Sequence, residues 1–258
     1  MANRTTYGQR LFETYLNLNK IAFEVEPTLL GTDKLIDFVL KDTTQERILI
    51  EMKDIELAFP RGGGVFDPYS PIRKHIQEGA RKFRDLSGSL CVLALAAPPN
   101  SFVDLLRPHV MLGAMYGDFG FEIPFDMRTG RGDRSGINGK FVIGRGKMVR
   151  TGGVRNTRLA ALISVHNYYT ATQEISLYLN KEDGRTKKER MEDIHSGKVA
   201  FSEDPIPCVT VWENGVAPLR LPRHMFRGDM DAWWTHDGDE QTLSYVGDRR
   251  QRLGIDAR

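Results

Sequence analysis

Apolar residues recur with helical spacing at Leu11, Phe12, Tyr15, Leu16 and Leu18, which predicts an amphipathic helix through TTYGQRLFETYLNLNK. Thr5 or Thr6 can cap its start, and Glu13 lies off the apolar stripe. The period then drops to two. In IAFEVEP, Ile21, Phe23 and Val25 alternate with Ala22, Glu24 and Glu26, a strand pattern ended by Pro27. LIDFVL and RILIEMKDIEL read as two further strands joined by the polar KDTTQE, so that three strands form a meander. After the Gly/Pro-rich FPRGGGVFDPYSP, the segment IRKHIQEGARKFRDLSG places Ile72, Ile76, Ala80 and Phe83 on one side of a second helix. SLCVLALAAPP follows, an unbroken apolar run that fits a strand covered on both faces.

Beyond residue 98 the pattern predicts a helix in SFVDLLRPHVMLGAMYG despite Pro108, strands in FGFEIPF and RLAALISVHNYY, and a short polar helix in TKKERMEDIHSG. PCVTVWENGVAPLRLP predicts a last strand, leading into an irregular stretch. The expected organisation is one α/β domain over residues 1–235, with a core at 5–98, elaborations at 99–235 and a polar tail, 236–258, that frays.

Composition changes this picture little. The 258 residues are 40% hydrophobic and 27% charged, ordinary for a globular chain. LCVLALAA, the longest apolar run, is far below the roughly 20 residues that cross a bilayer, and MANRTTYGQR lacks a signal-peptide centre, so the expectation is a cytoplasmic protein without membrane contact. Cys91 and Cys208 have neither disulfide-framework nor zinc spacing and read as reduced core residues, as His109 and His166 read as structural. The net charge of +2 conceals a bias: residues 128–158 hold nine Lys or Arg against one acid, Asp133, interleaved with eight glycines. Such a segment presents positive charge on a pliable backbone.

The chemistry concentrates in RILIEMKDIEL. A charge inside an apolar strand is costly unless it is paired or bound to a metal. Glu51 and Lys53 share one strand face, whereas Ile50 and Met52 take the other. If the hairpin turns at Thr43-Thr44, paired residue numbers sum to about 87 or 88, which sets Asp37 opposite Ile50 or Glu51. Two carboxylates suit a hard cation such as Mg²⁺, which acidifies water and binds phosphate oxygens, and a nearby ammonium can steady the transition-state charge. The plain alternative is an edge strand whose Glu51 and Lys53 form a solvated pair.

Asp37, followed after an interval by Glu51-Met52-Lys53 in an apolar strand and then by a helix and another strand, resembles the PD-(D/E)XK nuclease superfamily. The resemblance implies a restriction-endonuclease-like α/β fold: an αβββαβ core whose mixed central sheet is flanked by helices, with C-terminal additions. It also implies that Asp37 and Glu51 hold Mg²⁺ or Mn²⁺, that Lys53 assists the attacking water, and that Glu13 adds a further acid. Gln77, with Lys74 one turn away, would serve the site from the second helix. Ile36 stands where the motif's name expects proline. The implied activity is metal-dependent phosphodiester hydrolysis, most naturally of DNA, with Arg145, Lys147, Arg150 and the glycine-rich 61–64 loop as backbone-binding elements. A homodimer would let such an enzyme cut both strands. The competing reading is a catalytically silent protein of the same fold that binds nucleic acid or a protein partner.

Overall fold

Thr6 starts the first helix, α1 (Tyr7–Leu18), with a capping box. Its hydroxyl accepts from the Gln9 N–H, and the Gln9 side-chain oxygen accepts from the Thr6 N–H at 2.9 Å. This fixes the orientation of the Gln9 amide. The computed structural model describes residues 5–27, 35–41, 47–57, 67–86, 88–122, 125–126, 131–132, 138–142, 146–150, 153–169, 175, 178–201, 204–228, 230–236 and 243–245.

The meander forms as expected. β1 (Phe23–Val25), β2 (Phe38–Lys41) and β3 (Arg47–Asp54) pair antiparallel, and α2 (Tyr69–Lys82) crosses to β4 (Leu90–Ala96), which runs parallel to β3. α3 (Pro108–Tyr116) begins at Pro108, because proline at a first helical position needs no N–H partner, and does not run through it. Three two-stranded ribbons occupy the middle of the chain: β5 (Asp118–Glu122) with β8 (Asn138–Val142), β6 (Phe125–Asp126) with β7 (Arg131–Gly132), and β9 (Val149–Arg150) with β10 (Gly153–Val154). The long β11 (Leu159–Tyr169) returns beside β4 in parallel and pairs antiparallel with β12 (Pro205–Glu213). α4 (Lys187–His195) lies between them in sequence.

The sheet continues through β13 (Ala232–His236) to β14 (Leu243–Tyr245), which falls inside the stretch expected to fray; residues 246–258 lie outside the described residues. The result is an α/β arrangement with an eight-stranded mixed sheet in the order β1-β2-β3-β4-β11-β12-β13-β14. One face packs Leu49, Leu93 and Leu95 against Ile72 and Ile76 of α2, Phe83 at its C-terminal cap and Met111 of α3. The other packs Phe38, Ile48, Ile50, Met52 and Val92 against Leu11, Phe12 and Leu16 of α1. No helix among the described residues is long and apolar enough to cross a membrane.

α1 approaches the sheet closely at Gly8, whose N–H donates to Asp54 Oδ1 at 2.8 Å. A Cβ there would meet Asp54 Oδ1, Ala96 Cβ at 2.8 Å and Met52 Sδ at 2.9 Å. Gly8→Ala therefore has to push the helix outward and stretch that hydrogen bond, at a cost of about 1–3 kcal/mol. A thermal melt of the variant should show the loss, and an unchanged midpoint would mean that α1 yields freely.

Candidate functional site

β3 lies between β2 and β4 and is therefore an interior strand, so the solvated edge-strand explanation of its charges does not hold. Its even residues face α1 and its odd residues face α2, which puts Glu51 on the α2 side. Glu51 is 1% exposed. An unpaired carboxylate there would be prohibitively costly, and both of its oxygens are occupied. Lys53 Nζ donates to Oε1 at 2.6 Å, and Lys82 Nζ, from the end of α2, donates to Oε2. The two lysine side chains keep 33% and 27% exposure, so their ammonium groups stand where the buried carboxylate meets solvent.

The hairpin register puts Phe38 opposite Ile50 and Val39 opposite Leu49, a sum of 88. Extended by one step, it sets Asp37 opposite Glu51, close enough for the Asp37 charge to act on the Glu51 carboxyl. Asp37 stands at the bend before β2, where β3 outruns its partner. Its Oδ2 accepts from the otherwise unpaired Met52 N–H at 2.7 Å, and its Oδ1 accepts from Gln9 Nε2 at 2.8 Å. The capping box of α1 thus aims the Gln9 amide at Asp37.

The electrostatics follow from this packing. Burial pushes the Glu51 carboxyl above its ordinary value, the Asp37 charge adds to the rise, and the hydrogen bonds from Lys53 and Lys82 offset part of it. Burial also works against the Lys53 ammonium. The hydrogen bond and charge of Glu51, with the charges of Asp37 and Glu78, outweigh it and raise Lys53 above its usual value. In the metal-free protein Lys53 is therefore a firmly held cation and a poor base.

Glu13, one turn along α1 from Gln9, lines a cleft of about 310 Å³ together with Asp37, Glu26 and Thr5. It shares the approach to Asp37. α2 contributes differently from the sequence expectation. Lys74 is exposed, and Gln77 lines a separate groove with Arg81 and Arg84. Five residues along a helix turn about 140° around its axis, so the helix phase that sends Lys82 to Glu51 carries Gln77 elsewhere. Glu78, one turn before Lys82, carries the charge felt by Lys53 and bonds His75 at 3.0 Å. Gln9, Lys82 and Glu78 are the members that sequence reasoning missed; the i, i+4 spacing of Glu78 and Lys82 beside the apolar stripe was the available signal.

Of the basic segment, Arg145 and the 61–64 loop lie outside the described residues, as does the Arg150 side chain. The Lys147 N–H donates to the Ala114 carbonyl at 3.2 Å, which ties its backbone to α3. Cys208 is buried and unbridged, with its Sγ 2.9 Å from Nε2 of His166, directly opposite on β11.

Mg²⁺ commonly takes one or two carboxylates and completes its shell with water and substrate phosphate. Asp37 and Glu51 supply that number of hard oxygen donors, each oxygen holding one hydrogen bond and keeping a second lone pair. Among the described residues no three His, Cys, Asp or Glu residues gather as a closed metal cage. Asp37 and Glu51 would be the hard oxygen donors of an open, water-sharing site.

No protein-family model matches the chain, and no curated protein does. Among solved structures, that of Pyrococcus furiosus SfsA in complex with Ca2+ is similar at 18% identity over 37% of this chain and 41% of that one, with a TM-score of 0.21. The chain thus matches less than half of that protein, and a likeness this slight bears on neither fold nor function.

Proposed function

We propose that the chain is a metal-dependent nuclease of the PD-(D/E)XK type, with a restriction-endonuclease-like core from α1 to β4, hydrolysing phosphodiester bonds in DNA. The observation that carries this reading is a carboxylate buried in an interior strand, with a second carboxylate across the hairpin and a lysine two residues along on the same face. Stability is a weak reason for such a group, because well-packed apolar residues of similar volume are often as stabilising as a buried ion pair or more so. Asp37 and Glu51 would hold Mg²⁺ or Mn²⁺, and Glu13 lines a cleft with Asp37. When bound, the cation supplies Lewis acidity and an acidified water. Gln9 and the Met52 N–H hold Asp37 in place, while Lys53 would orient the water or steady charge on the phosphate.

The same geometry also favours a second reading at one point. Lys82 and Lys53 already neutralise Glu51, as they would in a catalytically silent protein of this fold that only binds nucleic acid or a protein. Metal-dependent cleavage separates the two. Purified protein incubated with plasmid and linear DNA, with and without Mg²⁺ or Mn²⁺, is expected to cut only when the metal is present. Intact DNA under all conditions would favour the silent reading.

A further inference from the structure

α2 ends beside a cavity of about 430 Å³ lined by Gln77, Arg81, Arg84, Asn156, Thr157 and Arg158. Every charged residue in this lining is an arginine. Some exposed arginines elsewhere find acids, as Arg107 does with Asp104 and Arg185 with Asp193. Among the described residues Arg81, Arg84 and Arg158 have no such ion pair, although they converge on one groove. The negative end of the helix dipole favours Arg81 in the last turn, but it does not account for Arg84 beyond the helix or for Arg158 on another element.

The wall that carries Arg158 is a built turn. Asn156 adopts a left-handed φ of 49°, its Nδ2 donates to the Lys147 carbonyl at 2.8 Å, and the Arg155 N–H donates to Met148 at 2.7 Å. The Leu159 N–H closes the turn on the Asn156 carbonyl at 3.1 Å and leads directly into β11. Arg158 is therefore presented from a fixed backbone opposite the end of α2, so that binding has its side chain but not its backbone to order.

We propose that this groove binds the phosphodiester backbone of nucleic acid. Three guanidiniums can each take a phosphate in fork geometry, and the Gln77 amide and Thr157 hydroxyl are suited to phosphate or sugar oxygens. The proposal rests on the nuclease reading and deepens it. Arg81 is the residue next to Lys82, about 100° around the same helix, so the groove and the carboxylate site share one end of α2. The groove would hold the strand, and the carboxylates would act on it.

The test measures binding of the full chain to a short labelled DNA duplex in EDTA, over a range of salt. The triple variant Arg81→Gln, Arg84→Gln, Arg158→Gln changes exposed side chains only and should fold. Each lost phosphate contact reduces the slope of log K against log salt by about 0.9, so the triple variant should be shallower by about 2 to 3, with affinity down at least about tenfold at low salt. If the triple variant melts early, Arg158→Gln alone is read, with an expected change of about 0.9. An unchanged slope, no duplex binding by the unaltered chain, or binding of free phosphate or a phosphopeptide in place of the duplex would overturn the groove. Because metal is absent, the outcome is independent of cleavage. Plasmid cutting with an unaltered slope would leave the nuclease reading standing without the groove, and a reduced slope without cutting would leave the groove standing without the nuclease.

Discussion

Glu51→Gln is expected to reduce metal-dependent DNA cleavage by about 1,000-fold or more while the chain still folds, because the substitution keeps the side chain's shape and removes the charge that would hold a divalent cation. The stability effect has a sign that follows from the site. Burial and Asp37 raise the Glu51 carboxyl in the native state, so the native protein binds this proton more tightly than the unfolded chain does. Ionising Glu51 therefore costs stability. That cost is absent below the ordinary carboxylate value of about 4.3, grows as pH rises through the window above it, and is complete once the native carboxyl has ionised. Glutamine never ionises. The difference in thermal midpoint, variant minus unaltered chain without metal, should start near zero in acid and become positive toward neutral pH. A difference that turns negative would mean that the two lysines outweigh burial and Asp37. Added Mg²⁺ or Mn²⁺ should raise the midpoint of the unaltered chain more than that of the variant, since a ligand stabilises only the state that binds it.

Much of this site could be read along the chain, and the parts that could not have a common cause. The meander and the place of Glu51 in β3 followed from periodicity, which strand geometry imposes locally. Pairing of Asp37 with Glu51 was legible only to within one residue, because the polar KDTTQE does not announce where the chain reverses; the pairing of Phe38 with Ile50 selects the register that sets Asp37 opposite Glu51. Gln9 and Lys82 were not legible. Each reaches its carboxylate from a helix whose rotation is set by how its apolar side packs: Leu11, Phe12 and Leu16 for α1, Ile72, Ile76 and Phe83 for α2. Lys82 adjoins that stripe and looks like an ordinary helix-terminal cation in the sequence. β14, three residues in polar surroundings, was too short to register.

Two lysines on one carboxylate make the motif lysine separable from a counter-ion, and Lys53→Met is the substitution that does so. Lys53 lies on β3 beside Glu51, partly open to solvent, and the hydrogen bond and charge of Glu51 raise its proton affinity. If a phosphodiester reacts there, Lys53 would meet the charge it gains, and the loss of Lys53 should then abolish detectable cleavage. The ammonium is no metal ligand, and removing a neighbouring positive charge should leave cation binding intact or tighter. Lys82→Met is the control, because it strips the other cation from the same Glu51 side chain. If the lysines serve only to neutralise Glu51, the two variants will behave alike. If Lys53 acts on the reacting phosphate or water, its variant alone will be inactive, while thermal shifts with Mn²⁺ remain in both and Lys82→Met keeps measurable cutting. Cleavage by Lys53→Met within about tenfold of the unaltered chain, a difference of only about 1.4 kcal/mol in barrier, would remove Lys53 from the chemistry.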